Sequence, residues 1–500
     1  MPFFFSWLTG LATTYYIKNG GSDLSNGLSV STAWASVARI NISMGLFRPG
    51  DSILFRKGDS WRNSTLVIRT AGIQGKNIYI GSYGSGEKPL IEGPENHPAI
   101  MVNAANSGFW TIDNIDLRAY GKISGVYNTV AIYHGYWLSD LGAVPGWIIQ
   151  NCNFNCCLLL SGPGTIVRNN VFNGEGKPDN RGGAICFRGP ECDNCIVELN
   201  TITDYFDRGV WIYNGGSNPI IRYNKINNIH KGSDHGGSGI NIDGYGVRVT
   251  YGAVYNNAIS DVDMSAITFE NGYKALAYNN RTENCTGVMI WQYAPYLETG
   301  DIDIHHNLFH NGNNGVVIFN ASGVHIANNT FVKNDDLGTE KTALYITTSS
   351  TYVSGISFVN NIVAGKWTHL IKVPDLKDIW TSFDYNILFP SRSWIMNRAG
   401  KNLSLSQVKT LGYMTNGNSL DPLFINGIND FHLQSRSPAI NTGINLHYLS
   451  DIEDNAIDDL PDIGAFEYKG DHTIPLLLNC SVENPAPSVI EMNFNTTLAA

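Results

Sequence analysis

The sequence predicts an all-β solenoid, a parallel β-helix, over about residues 100 to 390. Three observations predict it: an asparagine that returns at irregular spacing inside a constant local pattern, a second series of short alternating strands between those asparagines, and a composition rich in turn residues and poor in charge.

The anchor pattern is an apolar residue, one or two spacers, a polar residue, Asn, and then alternating apolar residues. It reads Val167-Arg168-Asn169-Asn170-Val171-Phe172, Ile221-Arg222-Tyr223-Asn224-Lys225-Ile226 and Ile326-Ala327-Asn328-Asn329-Thr330-Phe331. The full set is Asn170, Asn200, Asn224, Asn257, Asn280, Asn307, Asn329, Asn361 and Asn386, with spacings of 22 to 33 residues that average 27. A variable period with a fixed anchor points to stacked coils joined by loops of different length, not to a propeller with constant blades. Asn suits the position, because it tolerates a left-handed backbone and its amide bonds to its equivalent in the next coil.

The second series reads small, apolar, any, apolar, any. Its members include Ala184-Ile185-Cys186-Phe187-Arg188, Gly209-Val210-Trp211-Ile212-Tyr213, Gly239-Ile240-Asn241-Ile242-Asp243, Ala266-Ile267-Thr268-Phe269-Glu270 and Gly287-Val288-Met289-Ile290-Trp291. Such alternation predicts half-buried strands, with the aliphatic positions stacked inward and the other two facing solvent. Seven consecutive coils share this register.

The composition agrees. Fifty-two glycines and only 15% charged residues suit short strands and tight turns, and a 43% hydrophobic fraction is enough to fill a long core. The net charge of −10 provides no basic field to gather a phosphate backbone, so nucleic acid is excluded as the main partner. No stretch approaches the ~20 apolar residues of a membrane span. The cysteines, six of them between Cys152 and Cys195, read first as small buried hydrophobes, with a disulfide or metal as alternatives.

Residues 1–12 form an apolar segment without a preceding Lys or Arg, hence no clear signal peptide. Residues 13–100 read as an N-terminal cap and first coils, with strands at Tyr15 to Lys18 and Asp51 to Phe55 and a short helix around Ala33 to Ile40. The cap is needed because the open end of a solenoid exposes both core and strand edges. Residues 101–390 are the solenoid core, 391–470 a closing segment with a small β extension, and 471–500 a tail or the start of another module.

The opening run with Asn19-Gly20-Gly21-Ser22-Asp23 and Pro49-Gly50-Asp51-Ser52-Ile53-Leu54-Phe55 resembles that of right-handed parallel β-helix repeat proteins. The later Asp421-Pro422-Leu423-Phe424, Ser437-Pro438-Ala439-Ile440 and Asp462-Ile463-Gly464-Ala465-Phe466-Glu467-Tyr468 resemble their closing segment. The resemblance covers about residues 13 to 468. It implies a right-handed coil and a group containing polysaccharide lyases, glycoside hydrolases and phage tailspikes, among which fold does not choose. The polygalacturonase set of Asn-Thr-Asp, Asp-Asp and Gly-His-Gly motifs finds no match as a set, and there is no clear calcium-and-lysine constellation of the pectate lyase kind. The segments Ser481-Val482-Glu483-Asn484 and Pro487 to Met492 resemble the start of a bacterial immunoglobulin-like domain.

In this register the last outward position of each strand makes a line: Arg188, Tyr213, Asp243, Glu270, Trp291, Phe319. Asp243 and Glu270 are then about one strand spacing apart, so they resist joint ionisation and provide an acid beside a base. That spacing is near the ~5 to 5.5 Å of retaining glycosidases and short of inverting ones. Two other readings stand: merely solvated acids, or a Ca²⁺ site with Asp263. Otherwise no cofactor is expected. Preceding loops add Asp204, Asp207, Arg208, His230, Lys231, Asp234, His235, Asp261 and Asp263. Among these, His235 or Lys231 could act as base for β-elimination from a uronic acid, with Arg208 neutralising the carboxylate. Trp211, Tyr213 and Trp291, with Tyr293 and Tyr296 beyond, are predicted as solvent-facing aromatics suited to the apolar face of a sugar; Arg188, Asn241, Lys231 and Asp234 complete the substrate-binding set.

Three function classes follow: an extracellular carbohydrate-active enzyme, with hydrolase favoured over lyase; a virion tailspike or fibre protein binding host surface polysaccharide; and a non-catalytic adhesive solenoid. The second expects a homotrimer or virion tail partners, with Phe3, Phe4, Phe5 and Trp7 as a candidate anchor.

Overall fold

The computed structural model describes residues 12–470, apart from 105, 124–128, 136–143, 177–182, 190, 233–235, 245–248, 293–298, 336–340, 349–352, 376–378 and 391–392, and the backbone of strands Leu477–Val482 and Ile490–Phe494. Three long sheets run side by side, and each coil contributes one strand to each. Sheet one starts at Thr14–Ile17 and carries Ile166–Arg168 and Ile220–Arg222. Sheet two carries Thr201–Phe206, Lys225–His230 and Ala258–Val262, and sheet three carries Arg208–Tyr213, Ser238–Asp243, Ser265–Glu270 and Thr286–Trp291. Pairing along the solenoid is parallel, from Thr14↔Ser52 through Ile371↔Met396. The coil register therefore extends N-terminal of residue 101, and the helix Val37–Ile42, capped by Ser36 and burying Val37 and Ile40, covers the open end.

The inward positions stack as the alternation predicts. Ile185, Val210, Ile240, Ile267 and Val288 are fully buried, each in register with the next. A side chain removed from water in this way stabilises by about 1.5 to 3 kcal/mol. The small residue that opens each strand is explained by crowding: a Cβ at Gly239 would lie 2.8 Å from both the Ala266 carbonyl oxygen and Ile259 Cγ2.

The anchor asparagines occupy the turn between sheets one and two, and all nine are buried. Asn257 Oδ1 accepts from both the backbone N–H and Nδ2 of Asn224 at 3.0 Å, while Asn257 Nδ2 donates to the Ile221 carbonyl at 2.9 Å and to Asn280 Oδ1 at 3.0 Å. The amide ladder is as expected, but the left-handed conformation belongs to the residue before it. Positive φ occurs at Asn169, Tyr223, Asn256, Asn279, His306, Asn328 and Asn360, so the sharp turn and the ladder are assigned to adjacent residues. Turning inward is what buries the second residue's amide.

After sheet three closes with the antiparallel pair Met396–Arg398 and Lys401–Leu403, the helix Leu405–Thr410 packs Val408 into the core. The chain then returns along the outside of the solenoid. It is bonded there by the left-handed turn row: Asn279 Nδ2 donates to the Asp451 carbonyl (3.2 Å), Asn328 Nδ2 to that of Asp462 (3.1 Å) and Asn360 Nδ2 to that of Ile444 (2.8 Å). Its hairpin Phe424–Asn426 and Asp430–Leu433 covers the later coils of sheet two, with Phe431 packed beside Leu308 and Val332. Leu477–Val482 and Ile490–Phe494 pair antiparallel. The seven described cysteines are buried free thiols, and among the described residues no helix is long and apolar enough to cross a membrane.

Candidate active site

The predicted line of outward residues is present on sheet three. Arg188 pairs with Tyr213, Tyr213 with Asp243, Asp243 with Glu270, Glu270 with Trp291, and Trp291 with Phe319. Asp243 and Glu270 are direct partners on neighbouring strands, which sit about 4.8 Å apart. Each projects from the outer wall, since its neighbours Ile242 and Phe269 fill the core.

Outward does not mean exposed here. Asp243 is only 4% accessible, and its Oδ2 accepts from Trp211 Nε1 at 3.3 Å. Trp211, expected as a bare ring, is 9% accessible and packs with Cys186, Leu159 and Tyr213. The Arg208 guanidinium lies 4.0 Å from its ring centroid, and that of Arg188 lies 5.6 Å from it and 5.0 Å from Tyr213. The indole thus forms a wall between two cations. Trp291 keeps the predicted exposure and meets Phe319 edge-on at 6.2 Å.

These surroundings act on the acid pair. Burial pushes the Glu270 carboxyl up to about 7, and the negative charge of Asp243 adds to the rise; Arg208 and a hydrogen bond from Asn241 oppose it. Arg208 also pairs with Asp207 at 2.7 Å. Two polar atoms on this wall, Arg208 Nε and Asn241 Oδ1, are buried without a hydrogen-bond partner among the described residues. Asn241 Oδ1 lies next to the pair, since Asn241 bonds Glu270, whereas Arg208 opens its strand at the end away from Asp243. The pattern did not single out the polar floor of Ser238, Ser265 and Thr268, whose hydroxyls bond to one another within 3.3 Å and are all buried. Its only trace in the sequence is that Thr268 is the register partner of Asn241.

Several expected members are elsewhere. Lys231 and Asp263 lie at the corner before their strands, where Asp263 Oδ2 accepts from the Lys231 backbone N–H (2.8 Å) and sits 3.9 Å from His230 Nδ1. Asp263 is seven residues ahead of Glu270, at the opposite strand end, so it does not join a calcium site with the pair. Among the described residues no group of three or more His, Cys, Asp or Glu side chains forms a metal-ligand set. Asp204 and Asp261 are left-handed turn residues bonded to Asn228 (3.1 Å) and Asn284 (2.9 Å), which ties them to the turns of neighbouring coils. Asp234, His235, Tyr293 and Tyr296 lie outside the described residues.

Residues 227–363, which include both carboxylates, match the family described as a right-handed beta helix region. The chain is a right-handed parallel β-helix. This β-helix is 31% identical over 107 residues to a protein named lacto-N-biosidase from Bifidobacterium longum subsp. longum; the match takes in 21% of the chain and 6% of that relative. The solved structure of XylC with xylose superposes with a TM-score of 0.51 at 12% identity, over 92% of this chain and 99% of that one. A GH136 lacto-N-biosidase from Eubacterium ramulus gives 0.46 at 15% identity, over 67% and 65%. The β-helix therefore spans only part of the lacto-N-biosidases that it matches.

Proposed function

We propose that this β-helix acts outside a cell as a glycan-cleaving protein, a retaining glycoside hydrolase with Glu270 as acid and base and Asp243 as nucleophile. The observation that carries the reading is one pair of carboxylates, direct partners across a strand spacing, of which Glu270 holds its proton near neutrality. Asp243 accepts a hydrogen bond from the Trp211 indole and takes the nucleophile's place in this reading. The local similarity to a lacto-N-biosidase supports the same class.

In the first step Glu270 gives its proton to the leaving oxygen as the glycosidic C–O bond breaks, and an Asp243 carboxylate oxygen bonds to the anomeric carbon. In the second step Glu270 takes a proton from water, whose oxygen attacks that carbon and releases Asp243. Trp291 and Phe319 offer apolar faces to the rest of the chain.

Incubation with a panel of bacterial and algal polysaccharides tests the reading. New reducing ends with retained anomeric configuration support it. Unsaturated uronates would instead mark a lyase, and retention of a polysaccharide without cleavage a tailspike or adhesin. Because the acid must be protonated, the rate is expected to fall as pH rises through about 7. Asn241→Ala removes a hydrogen bond that holds the Glu270 pKa down, so the descending limb of the pH–rate profile should move to higher pH while kcat/KM drops about tenfold or more.

A further inference from the structure

A second groove lies on a different wall. The closing segment covers sheet two from Leu308 onward and reaches back as far as Arg281, leaving the earlier coils as the floor of a trough of about 560 Å³ that Asn429 and Phe431 close at one end. In this floor the Ala258–Val262 strand presents the small outward side chains Ala258 and Ser260, while its Asp261 is tied to Asn284 at the turn beyond them. The strands on either side carry long ones: Lys225 and Asn227 on one flank, Arg281 and Glu283 on the other. The result is a slot whose flanking strands run two spacings, about 9.6 Å, apart backbone to backbone, on the scale of a pyranose ring.

The far flank is held in place. Arg281 is paired with Glu453 of the closing segment at 2.8 Å and packs over Phe466, and Glu283 is paired with His310 at 3.2 Å. Donors and acceptors fixed in this way cost little ordering entropy on binding. With Arg281 already paired to Glu453 and with amide, hydroxyl, carboxylate and ammonium groups of both signs around a floor of small side chains, the slot matches the hydroxyl-rich edges and the apolar face of a sugar better than a lone anion or an apolar peptide.

We infer that this slot on sheet two is a second glycan-binding site, remote from Asp243 and Glu270, that holds a length of the same polysaccharide; the inference rests on the glycan reading of the first site. The test is native electrophoresis of the full chain through gels containing polygalacturonate, alginate, xylan or dextran. Retardation is expected in at least one gel, and weakened about tenfold or more in apparent Kd for Ala258→Trp and, separately, Ser260→Arg. Both variants fill an outward slot, and an unchanged thermal midpoint shows that they fold. No retardation in any gel, or equal retardation of wild type and both filled-slot variants, would overturn the inference. If retardation depends on the slot but no polysaccharide is cleaved, the hydrolase reading fails and the binding site stands.

Discussion

Glu270→Gln is expected to lower kcat on an oligosaccharide with an unactivated leaving group by about 10²- to 10⁴-fold, the usual contribution of a positioned general acid. On an aryl glycoside whose leaving group needs no proton, the first step should survive and the covalent intermediate accumulate as an initial burst. Asp243→Asn should abolish turnover on both substrates, because the bond to the anomeric carbon is then never made. Steady-state and burst kinetics on the two substrates separate the roles. Equal cleavage by wild type and both variants would remove the site from sheet three and leave the fold untouched.

The largest stability effect is expected at the amide ladder. Asn257→Ala strips the shared acceptor from the Asn224 backbone N–H and side chain and the donor from the Ile221 carbonyl, all in a buried turn. Buried groups left unpaired cost about 1 to 3 kcal/mol each, so a local loss of about 3 kcal/mol is expected. In a solenoid, stability is a sum over neighbouring coils, so the loss should appear first as faster hydrogen exchange in the flanking strands and then as a lower denaturation midpoint. The adjacent residue provides the contrast. Asn256 has φ +55° and Asn256→Gly should be nearly neutral, whereas Asn256→Val forces a β-branched residue into a left-handed turn. Comparable losses for Asn257→Ala and Asn256→Gly would mean that the turn, not the amide ladder, carries the stability.

Much of the candidate site was legible in advance because a β-helix repeats one register. When Ile240, Ile267 and Val288 must all point inward, the side chains three positions later are forced onto one outward line, and Asp243 must meet Glu270. The Asn spacing marks the coils for the same reason. What escaped the pattern was burial. Alternation places Trp211 and Asp243 on the outer wall, but only the packed neighbours, Arg208 over the indole and the indole on the carboxylate, show that this wall is covered. Burial of Glu270 and the neighbouring charge of Asp243 move it toward neutrality, and Arg208 opposes them. Lys231 and Asp263 were misplaced because a loop's nearness in sequence does not reveal at which end of the strand it enters.

The sequence by itself therefore determined the all-β solenoid, its coil boundaries and the pairing of the two acids, since each is a consequence of local period and of one strand lying on the next. Only the tertiary structure decided which outward residues are dry, which turn residue is left-handed, and where the closing segment lies. That segment bonds Asp451 to Asn279 and Asp462 to Asn328, contacts that span 172 and 134 residues. Contacts at such separation leave no periodic trace in the chain, yet they hold the closing segment against the solenoid.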